Sequence, residues 1–423
     1  MLNLTIMKNI FLFLFVLSFN ALGQQAILLE NASLIDGTGG SIQKGYNILI
    51  AGDSIHSVLF KGATIPLTDY QRIDLEGKYL LPGLFDAHVH FATDPSGGDK
   101  LALVKERLAL MLKNGVTGVR DMAGDTRQLT YLARQTQLDE FEAPDLYFSA
   151  LMAGPAFFDD LRTKSSGQGV KPGHVPWMKG VSDETDIVRA VAEAKGTGAT
   201  GIKIYADLPG HLARKVIEEA HRQDFLVWAH AAVIPGMPSD LANAGVDGLS
   251  HATLLAWEAA AVKPENGKQR YNDTELSIEN EGFTALIKMM SDKQIYLDPT
   301  VAIYKGRYSP NVYNNGLKAT KAAFKAGVKL VVGTDQSINV KDFKHLPLID
   351  EMEALINEVG IPAIEVIKAA TLNTAEFLKI SDKVGTIAVG KKANILIVDS
   401  NPLVDITNLK KVFAVYKNGK RID

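Results

Sequence analysis

Two histidines one residue apart are the first residues in the chain whose types and spacing could do chemistry together. His88 and His90 end the apolar segment LLPGLFDAHVH, which has the character of a β-strand. Residues i and i+2 of a strand point to the same side, so both imidazoles face one way. A single histidine at a strand end is more often a structural residue, but imidazole is also the commonest metal ligand. The pair therefore indicates a metal site if further ligands lie nearby.

Four more polar residues stand at or close to the ends of other apolar segments. If these segments are strands of a closed barrel, their C-terminal ends meet at one mouth, where the catalytic residues of such barrels lie. Six residues on five strands at one height are hard to attribute to packing. The four additional residues are Lys203, His230, His251 and Asp335.

The side chains available narrow the kind of metal. The sequence contains no cysteine, which excludes disulfides, thiolate zinc sites and a cysteine nucleophile. Four histidines and one aspartate suit a divalent transition metal such as zinc, which accepts nitrogen and oxygen ligands. Any metal at this mouth therefore has to be held by imidazoles, carboxylates or an unusual ligand.

Lys203 is the unusual member of the set, because metal ions repel a cationic ammonium. It stands between Ile202 and Ile204, and burial pushes a lysine toward the neutral amine. A neutral amine can add CO₂ to become a carbamate, an anionic ligand whose two oxygens can bridge two metals. The alternative is that Lys203 extends to solvent or forms an ion pair. The apolar setting favours the carbamate.

The order of the predicted elements indicates what positions these residues. Eight short apolar segments alternate with helical stretches, which is typical of βαβ units and a parallel sheet. Eight such units fit a (β/α)₈ TIM barrel of the α/β class. An open doubly wound sheet is the alternative, but no glycine-rich phosphate motif follows the first strand. The candidate strands lie near 81–90, 115–121, 145–151, 199–205, 225–230, 246–251, 294–300 and 328–335.

Both ends of the chain have a β-rich character that the middle lacks. Segment 24–80 contains alternating runs broken by Asp-Gly, Gly-Gly and Gly-Asp pairs, which are typical of hairpins, and the same character returns in 379–423. We predict that these two segments form a small β-sandwich and that 81–378 forms the barrel.

The first 23 residues have the parts of a secretory signal peptide. Lys8 precedes the apolar run IFLFLFVL, and the small residues Ala21 and Gly23 follow it. The run is shorter than the roughly 20 apolar residues that span a bilayer. We therefore predict that 1–23 is removed and that the protein is exported, to the periplasm or the medium, without a stable membrane anchor.

Composition limits the partners. The chain has 45 basic and 48 acidic residues, a formal net charge of −3, and no basic run of the kind that follows phosphates, so nucleic acid is not expected. A small molecule or a dipeptide is the expected substrate. The connections 152–181 and 253–282 are the expected pocket walls, because long loops in compact domains are usually functional. The oligomeric state stays open, a homo-oligomer included.

The motifs together resemble those of the amidohydrolase superfamily, in the metal-dependent branch of imidazolonepropionase-like enzymes and prolidase-type dipeptidases. The resemblance covers nearly the whole chain after residue 23, and it implies a (β/α)₈ barrel with a small β-sandwich made from both chain ends. The motifs are NASLIDGTGG, LPGLFDAHVHF, GVTGVRDMAG, GIKIYAD, WAHA, LSHAT, VGTD, AATLNTAEFL and VGTIAVGKKANILIVDSNPL.

The resemblance implies two divalent metal ions, with Zn²⁺ expected, and a role for each residue at the mouth. A hydroxide that bridges the metals attacks the scissile carbonyl, and Asp335 accepts its proton and delivers it to the leaving amine. Imidazolonepropionase lacks the lysine ligand, so the lysine moves this chain toward the binuclear dipeptidases. By position, His88, His90 and Asp335 match the ligands of one metal, Lys203 matches the carboxylated bridging lysine, and His230 and His251 match the ligands of the second metal.

Two further residues are candidates for substrate binding. His174, in KPGHVPW, resembles a loop histidine that contacts substrate in the dipeptidase branch, although the usual Thr-Gly-Gly-His form is missing. Tyr205 follows Lys203 on the same face of its strand and could bind the substrate carbonyl or carboxylate. Asp207-Leu208-Pro209 departs from the glycine-rich turn of the prolidases, which argues against prolidase specificity. Arg120 and Asp121 are expected to be a structural pair behind the site.

The predicted function is hydrolysis of a carbon–nitrogen amide bond in a dipeptide, an N-acyl amino acid or a cyclic amide. A lactonase or a phosphotriesterase-like hydrolase is the alternative, since the same binuclear centre attacks those bonds. A ligand-binding protein that has lost catalysis is the alternative outside enzymes. The intact set of six residues argues against this last class, because decay would normally remove at least one of them.

Overall fold

The structure, a computed structural model, describes residues 25–91, 100–165, 167–264 and 269–423. The predicted signal peptide lies outside these residues. In the described ranges, no helix is long and apolar enough to cross a membrane. The strands are β1 (Ala26–Leu34), β2 (Gln43–Ala51), β3 (Ser54–Phe60), β4 (Tyr70–Asp74), β5 (Tyr79–Pro82), β6 (Leu84–Val89), β7 (Val116–Asp121), β8 (Asp145–Ala153), β9 (His174–Val175), β10 (Met178–Gly180), β11 (Gly201–Ile204), β12 (Leu226–His230), β13 (Gly248–Ser250), β14 (Tyr296–Asp298), β15 (Ile395–Val398), β16 (Val412–Lys417) and β17 (Lys420–Ile422).

Helices separate most of the strands in the middle of the chain. Their apolar residues recur at helical spacing, as in the first helix, where Val104, Leu108, Met111 and Leu112 are buried on one face. The helices are α1 (Leu101–Lys113), α2 (Thr126–Gln137), α3 (Leu161–Ser165), α4 (Ile187–Gly196), α5 (Gly210–Arg222), α6 (Pro238–Asn243), α7 (Glu281–Asp292), α8 (Pro310–Lys325), α9 (Pro347–Ala354), α10 (Ala363–Lys368) and α11 (Thr374–Phe377).

The two ends of the chain come together in one sheet, where a small β-sandwich made from both ends was predicted. Its strand order is β17-β16-β15-β5-β1-β2-β3, with β4 beside β1. The strand β5 joins the two ends, because it pairs parallel with β1 and antiparallel with β15. Alternate residues of these strands, such as Leu29, Ile48 and Ile395, form a core of their own. The positions of the predicted segment boundaries stay predictions.

The middle of the chain forms a nearly closed barrel of seven parallel strands, which confirms the predicted fold class. The strands pair in the order β6, β7, β8, β11, β12, β13, β14, and β10 and β9 extend the sheet beside β8. Every residue of β6 and β7 is buried, because helices cover a parallel barrel outside while side chains fill it inside.

The eighth barrel position, predicted at 328–335, differs from the prediction, because isolated bridges at Leu330 and Gln336 replace a regular strand. On one side Val331 N donates to Leu297 O at 3.0 Å, and on the other Asp335 N donates to His88 O at 2.8 Å. The backbone passes unusually close to its neighbours here. A Cβ on Gly333 would lie 2.5 Å from the His88 Cβ, and Asp335 has a left-handed φ of 53°. Asp86 also binds this segment, accepting from Thr334 Oγ1 at 2.8 Å.

Candidate active site

The structure brings the six residues His88, His90, Lys203, His230, His251 and Asp335, here called the donor cluster, to one end of the barrel. Three of them, His88, His90 and Asp335, offer ligand atoms that all lie within 4.8 Å of one another. Asp335 Oδ1 lies 3.0 Å from His90 Nε2 and 3.5 Å from His88 Nε2. The His251 ring lies 5.0 Å from the His88 ring and 4.7 Å from the His230 ring, centroid to centroid.

His88 is held from behind by a buried carboxylate. Its Nδ1 donates to Asp298 Oδ2 at 2.6 Å, and Arg120 Nη2 donates to the same oxygen at 3.2 Å. The Arg120 guanidinium lies 4.6 Å from the ring centroids of both Trp228 and Phe377. This support fixes the tautomer of His88, so that Nε2 faces Asp335. Burial lowers the pKa of His88 to about 4, and the imidazole is therefore neutral at pH 7.

Lys203 is buried completely beneath this group. Its Nζ donates to Ser250 Oγ at 2.8 Å, and that hydroxyl donates to Asp298 Oδ2 at 3.1 Å. Burial, and then the positive charge of Arg120, hold the pKa of Lys203 well below its usual value. Both effects favour the neutral amine over the ammonium, and Lys203 shares Asp298 with His88 through one intervening hydroxyl.

His230 and His251 end the next two strands. Burial is the largest cause that holds the pKa of each imidazole well below its usual value. His251 Nδ1 lies 2.8 Å from Thr300 Oγ1. The backbone after Thr300 is anchored in turn, because Glu351 accepts hydrogen bonds from Val301 N and Ala302 N at 2.9 and 2.7 Å.

The strand ends that carry the site have unusual backbone conformations. His251 has a φ of 71° and Thr300 a φ of 47°. Left-handed conformations of residues other than glycine cost free energy, most of all for a β-branched residue such as threonine. The surrounding hydrogen bonds therefore hold the imidazole of His251 in a position that the local chain would not prefer.

The donor cluster fits a metal ion by its own chemistry. His88 Nε2 is buried and has no hydrogen-bond partner, and it faces the carboxylate of Asp335. A buried polar atom without a partner is costly, so such an atom requires an explanation. Neutral imidazoles beside an ionised carboxylate are the nitrogen and oxygen donors that divalent transition metals prefer. Although burial opposes it, the imidazoles of His88, His90 and His251 hold the pKa of Asp335 well below its usual value.

A cavity of about 420 Å³ opens above the donor cluster, a size typical of small-molecule sites. Both long connections expected to form walls contribute to it, and a third segment that was not expected, after β14, contributes as well. The lining residues from these three segments are Phe157, Arg162, Thr163 and Met178, then Arg270 and Tyr271, and finally Ile303, Tyr304, Arg307 and Tyr308.

The two predicted substrate residues lie in different places. Tyr205 lines the cavity, with its ring 4.2 Å from that of His230, and burial raises the pKa of its hydroxyl to about 12. His174 is exposed, in β9, and is absent from the residues that line the cavity. The structure therefore brings Tyr205 to the donor cluster and leaves His174 apart from it.

Sequence reasoning missed two residues that the structure places at the site. Asp298 ends β14 and could have been found by the rule that found Asp335, because it too stands at the end of a candidate strand. Arg270 lies in the second long connection, with Nη2 only 3.2 Å from His230 Nε2, and no periodic pattern marks it. Arg120 was expected behind the site, and it lies there, beneath Asp298.

Comparison with known proteins agrees with this geometry. Ochratoxinase of Aspergillus niger is 26% identical over 437 residues, which cover 92% of this chain and 84% of that protein. Among solved structures, a Xaa-Pro dipeptidase with methionine bound in its active site matches with a TM-score of 0.76 at 24% identity, over 94% of this chain and 99% of the other. Molinate hydrolase matches with a TM-score of 0.75 at 20% identity, over 95% of each chain. Because the sequence identities of these structural matches are below 25%, the matches establish only the fold.

The family itself is established by sequence. Residues 79–422 match the model of the amidohydrolase family. This range includes the barrel, the whole donor cluster and the C-terminal strands of the sheet that joins both chain ends. The match therefore confirms the resemblance predicted from the motifs. The chain belongs to the amidohydrolase family and is a hydrolase that acts on carbon–nitrogen bonds.

Proposed function

We propose that this protein is a metal-dependent hydrolase of an amide bond in a small substrate, such as a dipeptide, an N-acyl amino acid or a cyclic amide. The observation that carries the proposal is the unpartnered, buried His88 Nε2 facing Asp335. Such an atom is expected where a metal ion is part of the working site. The cavity above the donor cluster provides the space for a substrate of this size.

The donor cluster divides into two proposed ligand sets. His88, His90 and Asp335 would hold one divalent ion, and His230 and His251 would hold a second, with Lys203 between them as a bridging carbamate. We propose Zn²⁺ for both, because the donors are imidazoles and carboxylates. When bound, the two ions lower the pKa of a water molecule and polarise the scissile carbonyl.

The carbamate is supported by the surroundings of Lys203. Its side chain is completely buried, and burial lowers the pKa of its amine, which favours the neutral form that adds CO₂. The Arg120 guanidinium nearby offers a positive charge that would stabilise the anionic product. An uncharged lysine that stayed unmodified would leave the proposed second ion without an anionic ligand.

The chain's own residues would then carry the proton and orient the substrate. Asp335 would accept the proton of the attacking water and deliver it to the leaving amine. His88 would stay fixed, because Asp298 holds its other nitrogen. Tyr205 stays protonated at neutral pH, because burial raises its pKa to about 12, so its hydroxyl would donate to the substrate carbonyl or carboxylate. Export by the N-terminal segment remains part of the proposal.

The test is a metal analysis joined to a hydrolysis screen. Protein purified with zinc present is expected to contain close to two divalent ions per chain, and the screen should find turnover among dipeptides, N-acyl amino acids or cyclic amides. A single ion per chain would contradict the binuclear site. Turnover of lactones or phosphotriesters alone would contradict the amide bond as the substrate.

The Lys203→Ala variant tests the bridging role. Loss of a residue that supports a metal ligand lowers activity by about 10- to 100-fold, and we expect a larger fall in kcat when Lys203, a proposed ligand itself, is lost. Short carboxylic acids, which can replace the carbamate, should restore part of the activity. Lys215→Ala, which removes an exposed lysine on α5, is the matched control. An unchanged rate in Lys203→Ala would rule out the carbamate.

A further inference from the structure

The charges that line the cavity are strongly unbalanced. Three arginines, Arg162, Arg270 and Arg307, line it, and the single carboxylate among the described lining residues is Asp335. Asp335 is already surrounded by imidazoles. The space above the donor cluster is therefore electropositive and suits an anionic substrate.

The three arginines differ in what they already bind. Arg162 is paired with Asp160, at 2.6 Å, and Arg307 is exposed beside the ring of Tyr308. Arg270 has no carboxylate within ion-pair distance among the described residues, and its Nε is buried without a hydrogen-bond partner. Its Nη2 reaches His230 Nε2 at 3.2 Å. That contact uses the nitrogen lone pair that a metal would use, so a metal on His230 would leave Arg270 with still fewer partners.

A partly buried guanidinium with unused donors requires an anion. Burying a charge is costly unless it is paired and hydrogen-bonded. The planar fork of a guanidinium matches the two oxygens of a carboxylate, with two parallel hydrogen bonds. A carboxylate of the substrate would supply this group, because none of the described residues places a carboxylate within ion-pair distance of Arg270.

We propose that Arg270 binds a substrate carboxylate that lies close to the scissile amide, as the free α-carboxylate of an N-acyl amino acid or a dipeptide does. This inference rests on the proposed amide hydrolysis and narrows its substrate class to N-acyl amino acids and dipeptides, excluding neutral cyclic amides. The position carries the argument, because a guanidinium 3.2 Å from a residue of the donor cluster lies close to the place where the scissile bond would be held.

A second property of the cavity indicates the rest of the substrate. Tyr271, Tyr304 and Tyr308 pack against one another, with ring centroids 4.7 to 5.5 Å apart, and Arg270 lies 5.5 Å from the Tyr271 ring. Aromatic rings contribute a large apolar surface at low entropic cost. The carboxylate therefore lies beside an aromatic wall, which suits an amino acid with an apolar side chain.

The test compares two substrates that differ only in the carboxylate. N-acetyl-L-phenylalanine carries it, and N-acetyl-2-phenylethylamine lacks it. For the unaltered enzyme we expect kcat/KM to be about 10- to 150-fold higher for the acid, the range that a hydrogen bond to a charged group provides. Arg270→Met is expected to remove this preference by weakening turnover of the acid alone. Arg214→Met, at an exposed helix position, is the matched control and should keep the preference.

A binding measurement separates this inference from the proposed function. Calorimetric titration with 3-phenylpropanoate and with its neutral amide needs no turnover. Preferential binding of the acid by the zinc-loaded enzyme, lost in Arg270→Met with the metal content unchanged, would support the carboxylate site even if no amide were hydrolysed. If Arg270→Met lowers kcat/KM for both substrates by the same factor, or keeps the preference for the acid unchanged, the assignment is overturned.

Discussion

The donor cluster and the aromatic, arginine-rich wall of the cavity are built in opposite ways. His88, Lys203 and His251 stand on or directly after barrel strands, and each has a buried hydrogen-bond partner. The wall residues, such as Arg270 and Tyr308, stand on connections between elements. The difference indicates that the barrel fixes the reacting groups, whereas the loops determine which molecule reaches them.

The same contrast appears in how each region satisfies its charges. Behind the donor cluster, a single carboxylate oxygen of Asp298 serves His88, Arg120 and Ser250. In the wall, the guanidinium of Arg270 keeps a buried nitrogen without a partner. Hydrogen bonds shared through one carboxylate oxygen make a site rigid, even though Asp298 Oδ1 and Arg120 Nη1 are buried without partners. A donor without a partner in a cavity is available to a ligand. Substitutions in the two regions should therefore affect different kinetic constants.

The largest effect is expected from Asp335→Asn. The amide cannot accept the proton that the reaction releases, so we expect kcat to fall by about 10³- to 10⁴-fold, near the upper range of general acid–base catalysis. Because one carboxamide oxygen remains, some metal should be retained, which elemental analysis can measure. Asp183→Asn, at an exposed position, is the control. A near-normal kcat in Asp335→Asn would contradict its role as proton carrier.

An intermediate effect is expected from Asp298→Asn, which leaves the donor cluster intact but weakens its support. The change removes the charge that faces Arg120 and replaces one carboxylate oxygen by an NH₂ donor, which weakens the support that fixes the tautomer of His88, so we expect zinc affinity to fall by about 10- to 100-fold. Competition with a chelator measures this affinity directly. Asp292→Asn, on the surface of α7, provides the comparison. If zinc affinity does not change, Asp298 does not position His88.

The smallest effect is expected from the wall, in Tyr308→Leu. The half-exposed ring contributes apolar contact and stands away from the reacting groups, so we expect KM to rise about 3- to 10-fold, in line with the loss of part of one apolar contact, while kcat stays constant. Initial rates over a range of N-acyl amino acid concentrations separate the two constants. A fall in kcat with KM unchanged would mean that the wall and the donor cluster are not independent.

The donor cluster was predictable from sequence because strand ends of a parallel barrel must meet. His88, His230 and Asp335 needed only their positions at the ends of apolar segments. Asp298 obeys the same rule and was open to the same argument. The wall was not predictable in this way, because Arg270 and Tyr304 lie in connections without a hydrophobic period, and their approach to the site depends on the whole fold.

In the eighth barrel segment, the sequence pattern predicts a strand, but the local backbone geometry departs from a regular one. The apolar run before Gly333 predicted a strand, and its backbone does bond to both neighbours. The close approach of Gly333 to His88 and the left-handed φ of Asp335 prevent a regular ladder. This departure is located at the donor cluster, where local preferences commonly yield to function.

The pairing of β5 with β15 has a consequence for how the protein is made. Lys78, just before β5, contacts Asp399, which is 321 residues further along the chain. At a synthesis rate of about 5–20 residues per second, the partner emerges roughly 15 to 60 seconds later. Until then, β5, whose residues Leu80 and Leu81 are completely buried in the finished protein, has one strand edge that is open to other nascent chains. A segment that is synthesised 321 residues later therefore covers this open edge.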